Sequence, residues 1–216
     1  MRSVDVVVIG AGGHSKIVID ILLEDPTVKI LGLLDDSPDA QGKEIMGFPV
    51  VGIVEEMDKL FPKTTGYIIS IGNNSVRRKI SKILKNRGYE HINAISKSAM
   101  ISKHASIGKG VIINPGAAIH PDATIEDDVV IGMNATISHD SIVKAGVHLS
   151  PGVHITGNVT VGEQADLGAG VVVIPGKIIG RDTIVGAGAV VTKDLAEGIV
   201  AVGAPAREIK RIKETR

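Results

Sequence analysis

A parallel β-helix preceded by a small Rossmann-like α/β domain is the fold that this sequence predicts. Three observations predict it. From about residue 95 an aliphatic side chain returns every six residues for sixteen consecutive hexads. Ahead of that repeat, short β-branched runs alternate with stretches of helical spacing. The composition holds 26 glycines but only 2% aromatic residues, so the core must be built from thin aliphatic layers rather than from large rings.

The first part of the chain, expected to form a domain over 1–91, reads strand by strand. Val4 to Ile9 is a β-branched run stopped by Gly10. His14 to Leu23 carries apolar residues at helical spacing, and Lys29 to Leu34 is a second strand closed by Asp35-Asp36. Glu55 to Leu60 has helical spacing, Tyr67 to Ile71 is a third strand, and Ser75 to Arg87 is a charged amphipathic helix ended by Gly88. Strands that alternate with helices imply a parallel sheet.

The second part, 92–216, changes period. Its aliphatic series runs from Ile101 through Ile137, Leu149 and Ile155 to Val191. Two residues before each there is usually a small or β-branched residue, such as Ala117, Ser141 or Val153. A period of six is neither helical nor a simple strand alternation, and it is the mark of a parallel β-helix. The glycines that follow six of the aliphatics are expected to turn the corners. Three hexads per coil give about five coils, a stack about 25 Å tall at roughly 4.8 Å per coil. Such a stack needs a cap at each end.

Composition excludes several functions. Lys plus Arg equals Asp plus Glu at 24 each, which gives no support to a basic nucleic-acid groove. No apolar stretch is long enough to span a bilayer, and no secretory leader is read at the N-terminus, so a cytoplasmic protein without membrane insertion is expected. Cysteine is absent, which removes disulfides, thiolate ligands and a cysteine acyl-enzyme.

Gly10-Ala11-Gly12-Gly13 follows a strand and opens a helix, so its amides suit a phosphate. Asp35 ends the second strand, where a dinucleotide fold places a ribose ligand. Ser15 stands where the third fingerprint glycine would be, so the NAD pattern is incomplete. His139 follows Ile137 by two residues and is expected to point outward, because the inward slots belong to Ile137 and Ser141. A histidine there suits a general base. For Asp140 to orient that ring, the chain must turn a corner between them. His148 precedes Leu149 and points off the prism, as does His154 one hexad later. His104 and His120 read as surface residues. A zinc site made from His139, His148 and His154 across a subunit interface is the alternative to base chemistry.

The repeat resembles the hexapeptide acyltransferases, whose coils are left-handed. Gly203-Ala204-Pro205-Ala206-Arg207 followed by Ile209-Lys210 is similar to that family's closing loop and short C-terminal helix. The whole chain resembles bacterial nucleotide-sugar acyltransferases: the UDP-4-amino-sugar N-acetyltransferases of bacillosamine synthesis, the GDP-perosamine N-acetyltransferases and the sialic-acid O-acetyltransferases. The motifs carrying this are Gly10 to Lys16, Asp35-Asp36, Ile71-Gly72-Asn73-Asn74, His139-Asp140 and His148 to Gly152, in that order. The resemblance implies a homotrimer that uses acetyl-CoA and no metal. It implies His139 and Asp140 as the catalytic pair. The donor is expected along His148, Gly157, Gly168, Ala169, Ala187, Gly188, Gly203 and Arg207. The nucleotide sugar is expected at Gly10, Gly12, Gly13, His14, Asp35, Asp36, Gly72 and Asn74. Acetylation of a 4-amino group on a UDP-linked deoxysugar is the expected reaction; O-acetylation of sialic acid or another sugar, and a non-catalytic sugar-nucleotide sensor, are the alternatives.

Overall fold

The structure is a computed structural model, and it describes residues 3–212. The chain divides into two compact units, Met1–Lys97 and Ser98–Arg216. The 91/92 junction expected from the sequence lies a few residues inside the first unit.

The first unit is a six-stranded sheet with helices. Its elements are β1 (Val4–Ile9), α1 (Gly13–Leu23), β2 (Val28–Leu34), β3 (Glu44–Ile45), β4 (Phe48–Gly52), α2 (Met57–Leu60), β5 (Gly66–Ile69), α3 (Asn74–Asn86) and β6 (Glu90–His91). The sheet order is β3-β4-β2-β1-β5-β6, parallel except for the β3–β4 pair. From β1 the chain winds first toward β2 and later returns to the other flank at β5. That reversal opens a crevice beyond the carboxyl ends of β1, β2 and β5, the usual ligand position in open α/β sheets. Val7, Ile9, Leu34, Met57, Tyr67 and Leu84 fill one core of the unit. Tyr67 stacks on His91 with centroids 4.2 Å apart, so His91 is a buried packing residue.

The second unit is a left-handed parallel β-helix made of two-residue strands. Each strand pairs with the one eighteen residues later: Thr136 with His154, His154 with Val172, Val172 with Val190. Three faces result. One holds 112–113, 130–131, 148–149 and 166–167; the second 118–119, 136–137 and 154–155; the third 124–125, 142–143 and 160–161. The inward aliphatics Ile113, Ile131, Leu149 and Leu167 are fully buried, as are their counterparts on the other faces to within a percent or two.

The corners are built differently from the sequence expectation. Left-handed φ recurs at every sixth residue from Gly110 to Gly188, three places after each aliphatic. Glycine shares that position with Asp122, Asp128, Asn134, Asp140, Asn158, Gln164 and Asp182. Asp and Asn tolerate left-handed backbone better than most residues. The glycines directly after the aliphatics do another job. A methyl on Gly132 would lie 2.5 Å from Pro151 N, and one on Gly168 would lie 2.6 Å from Ala187 N. They are glycine because the next coil's backbone passes against them.

The expected C-terminal helix is a strand. Arg207–Arg211 folds back from Gly203 and pairs antiparallel with Ile199–Val202. The end of the prism offers open strand backbone, and the returning segment pairs with it. Ala206 N donates to Val190 O at 2.7 Å, so the hairpin also supplies the cap on the last coil. Residues 213–216 lie outside the described residues.

Candidate active site

Two sets of site residues emerge, one in each unit. In the first unit, Gly10 has φ 102°, and a methyl there would lie 2.8 Å from Ile71 Cγ1. The loop is therefore glycine for both backbone and space. Gly12 and Gly13 have nothing within 4 Å of where a Cβ would sit. Gly10, Gly12, Gly13, His14, Asp35, Ser70, Ile71 and Gly72 line one cavity of about 460 Å³. A neighbouring hollow of about 230 Å³ is lined by Ala11, Asp35, Ser37, Asp39 and Lys43.

Asp35 stands between these hollows and braces both loops. Its Oδ2 accepts from Ala11 N at 2.6 Å and its Oδ1 from Ser37 N at 2.8 Å. A carboxylate oxygen has a second lone pair, so each retains capacity for a ligand hydroxyl. Asp36 accepts from Val54 N at 2.9 Å. Asn74 opens α3 with its Oδ1 on Arg77, 2.8 Å away. Arg77 was missed by sequence reasoning. It is fully buried and donates to Ile71 O at 2.9 Å and Gly72 O at 3.2 Å, which fixes the β5 loop. Its position, one turn after Asn74, is the signal that was available. Ser70, also missed, donates to the Gly10 loop carbonyls.

In the second unit the His139–Asp140 pair is formed. Nδ1 of His139 and Oδ2 of Asp140 are 2.7 Å apart. Adjacent side chains diverge along a strand; here Asp140 has φ 57°, and the corner swings both to one side. Below the ring, one coil on, lies Gly157. A methyl on Gly157 would meet His139 Cε1 at 2.7 Å and Nε2 at 2.8 Å. The imidazole thus rests on a residue with no side chain. The Gly157 amide donates no hydrogen bond within the described residues.

The other expected donor-site residues fall elsewhere on the prism. Gly168, Ala169, Ala187 and Gly188 line the edge between the first and second faces, whereas His139 and Gly157 occupy the edge between the second and third. His148 lies on the first face, paired with Val130 and Asp166. Gly203 and Arg207 sit in the closing hairpin and are exposed. His154, on the second face, bonds Thr136 Oγ1 through Nδ1 at 2.9 Å. Within one chain His139, His148 and His154 therefore do not converge. Among the described residues no group of three or more His, Asp or Glu side chains is arranged to hold a metal ion. His104 and His120 are exposed.

A prism built on a six-residue repeat defines the class of parallel β-helix proteins. Residues 5–84 match the family described as PglD N-terminal domain, and residues 104–139 the bacterial transferase hexapeptide (six repeats). PerB from Caulobacter crescentus, solved in complex with CoA and GDP-perosamine, is 36% identical; the alignment covers 95% of this chain and 97% of that one, with a TM-score of 0.86. The acetyltransferase domain of PglB from Neisseria gonorrhoeae FA1090, solved with acetyl coenzyme A, is 33% identical over 96% of this chain and 100% of that one, with a TM-score of 0.91. Galactoside O-acetyltransferase of Escherichia coli K12 is 41% identical over 56 residues, 26% of this chain and 28% of that protein. The chain spans only 19% to 29% of the length of the curated relatives it matches, of which this is one. The chain belongs to the hexapeptide-repeat, acetyl-CoA-dependent sugar acetyltransferases with a PglD-type N-terminal domain.

Proposed function

We propose that the protein moves the acetyl group of acetyl-CoA onto the 4-amino group of a UDP-linked amino-deoxysugar, with His139 as general base. The observation that carries this reading is the His139–Asp140 pair seated on Gly157. Asp140 accepts the Nδ1 proton and so leaves Nε2 as the basic nitrogen. Nε2 takes a proton from the neutral amine as it attacks the thioester carbonyl. The tetrahedral oxyanion that forms needs a donor, and the unused Gly157 amide supplies one. Collapse expels the CoA thiolate, and the proton held on His139 returns to it. With no cysteine in the chain, direct transfer is favoured over a thiol acyl-enzyme.

The α/β unit holds the nucleotide sugar in this reading. The glycine-loop amides face the diphosphate, and Asp35 and Asp36 face the nucleotide end, with His14, Gly72 and Asn74 around the sugar. The donor lies along His148 and the strip Gly168, Ala169, Ala187 and Gly188, toward Gly203 and Arg207. That strip and His139 lie on different edges of one prism. A homotrimer, in which one protomer's strip faces its partner's histidine edge, reunites them. A GDP-linked acceptor is the second reading, favoured by the GDP-perosamine bound in the PerB structure.

The test is thiol release from acetyl-CoA with a panel of amino and hydroxy nucleotide sugars. His139→Ala should cut kcat by about 10²–10⁴-fold with little change in acetyl-CoA affinity. Turnover near wild type in that variant defeats the assignment, and the panel identifies the acceptor.

A further inference from the structure

The turn that carries Gly157 is bridged by a side chain from the coil before it. In many turns of the prism the first carbonyl accepts from the fourth amide, as Ala123 N to His120 O, Ala135 N to Gly132 O and Val171 N to Gly168 O. In the turn Thr156–Val159 the same two groups are joined through the side chain of Ser141. Its Oγ donates to Thr156 O at 2.8 Å and accepts from Val159 N at 3.2 Å. Ser141 is fully buried in an inward slot that alanine or valine fills in the adjoining coils, at Ala123 and Val159. It follows His139 by two residues, and its Oγ lies 3.4 Å from His139 O. One buried hydroxyl thus ties the corner that bears the imidazole to the corner on which that imidazole rests.

We propose that Ser141 is a positioning residue: its hydroxyl, spliced into the turn below, sets the distance and angle between the His139 ring and the Gly157 amide. This rests on the reading of His139 as general base. A base and an oxyanion donor must flank the same carbonyl carbon, so the gap between them is a catalytic dimension. Were the turn closed directly, as at His120–Ala123, Thr156 and Val159 would draw together and Gly157 would tilt under the ring. Packing has no need of the hydroxyl, because alanine serves in the same slot one coil earlier.

Ser141→Ala should therefore fold normally, with the ordinary turn bond replacing the spliced one, and its thermal midpoint should stay near wild type. Its kcat should fall by about tenfold to a hundredfold, the cost of a displacement approaching 1 Å. KM for acetyl-CoA and for the nucleotide sugar should stay within about twofold. Ser141→Thr keeps the hydroxyl and should restore most of kcat. The slot type accepts threonine: Thr183, equally buried, donates to Ala196 O at 2.6 Å across the next coil. The decisive measurement is Ser141→Ala in a His139→Ala background. A residue that acts through His139 changes the residual rate there by less than about twofold. A wild-type kcat for Ser141→Ala overturns the proposal, as does an undiminished effect in the His139→Ala background or a failure of Ser141→Thr to recover. A fast His139→Ala instead overturns the base reading beneath it. A slow His139→Ala beside a fast Ser141→Ala overturns Ser141 alone.

Discussion

Gly157→Ala puts the smallest side chain against the proposed catalytic ring. The methyl would lie 2.7 Å from His139 Cε1 and 2.8 Å from Nε2, where unstrained contacts are about 3.5–4.0 Å. The overlap of about 1 Å must be relieved by one of the two residues. Gly157 is held by the coil ladder, with Gly176 N donating to its carbonyl at 3.1 Å. His139 is more than half exposed and is held by the single 2.7 Å bond to Asp140. The ring therefore yields, moves outward by about 1 Å and loses its alignment with Asp140. A shift of that size costs on the order of 10–10² in kcat. Alanine retains the amide N–H, so the loss reports on the ring and not on the oxyanion donor. Gly157 has no left-handed φ, so alanine is compatible with its backbone. Steady-state thiol release is a clean assay, because the chain has no cysteine to react with the thiol reagent. Turnover within twofold of wild type would show that the ring does not rest where its action requires it, and would refute the reasoning.

Asp140→Asn keeps a residue that tolerates left-handed φ but removes the charge, so kcat should fall at least about tenfold with the fold intact; equal rates for the two proteins would contradict the role given to Asp140. Asp35→Ala frees the Ala11 and Ser37 amides and should weaken the nucleotide sugar while leaving acetyl-CoA binding alone, which two-ligand calorimetry resolves. Ile155→Ala removes a fully inward layer residue and should destabilise the prism by about 2–5 kcal/mol in denaturant melts. Lys63, by its hydrogen bond, holds the Asp58 carboxyl below its ordinary value of 3.8, partly opposed by burial. A depressed carboxylate adds stability above its unfolded pKa and loses it as pH falls through the folded one, so Asp58→Asn should flatten the acid limb of the melting curve.

The hexads were readable because one inward slot repeats with one chemistry, and no loop interrupts it. The strands β1 and β2 were readable for a similar reason: each is a mostly β-branched or aliphatic run followed by glycine or aspartate. The left-handed position was not readable from type alone, because Gly, Asp, Asn and Gln share it, and Asp140 was assigned to a corner only because His139 needed one. Gly157 was expected along the donor. That it seats the ring follows from an eighteen-residue register, which couples residues far apart in the chain. The closing strand was misread because Arg207 to Arg211 is charged and exposed, and only its pairing with Ile199–Val202 decides its conformation. Arg77 was hidden by burial, since an arginine on an amphipathic helix reads as solvent-facing.

The eighteen-residue register makes the prism behave like a dial with three marks. Removing one hexad between His139 and Gly157 would leave every aliphatic in an inward slot, so the core would still close. It would nevertheless advance all later residues by one face, carrying the small-residue strip and the hairpin to the wrong edge. Removing three hexads downstream of Gly157 would restore the phase and only shorten the reach to the hairpin, by roughly 4.8 Å. Length changes in this half of the molecule are thus graded by their remainder modulo eighteen rather than by their size. Stability and alignment of the edges become separable properties of the same repeat.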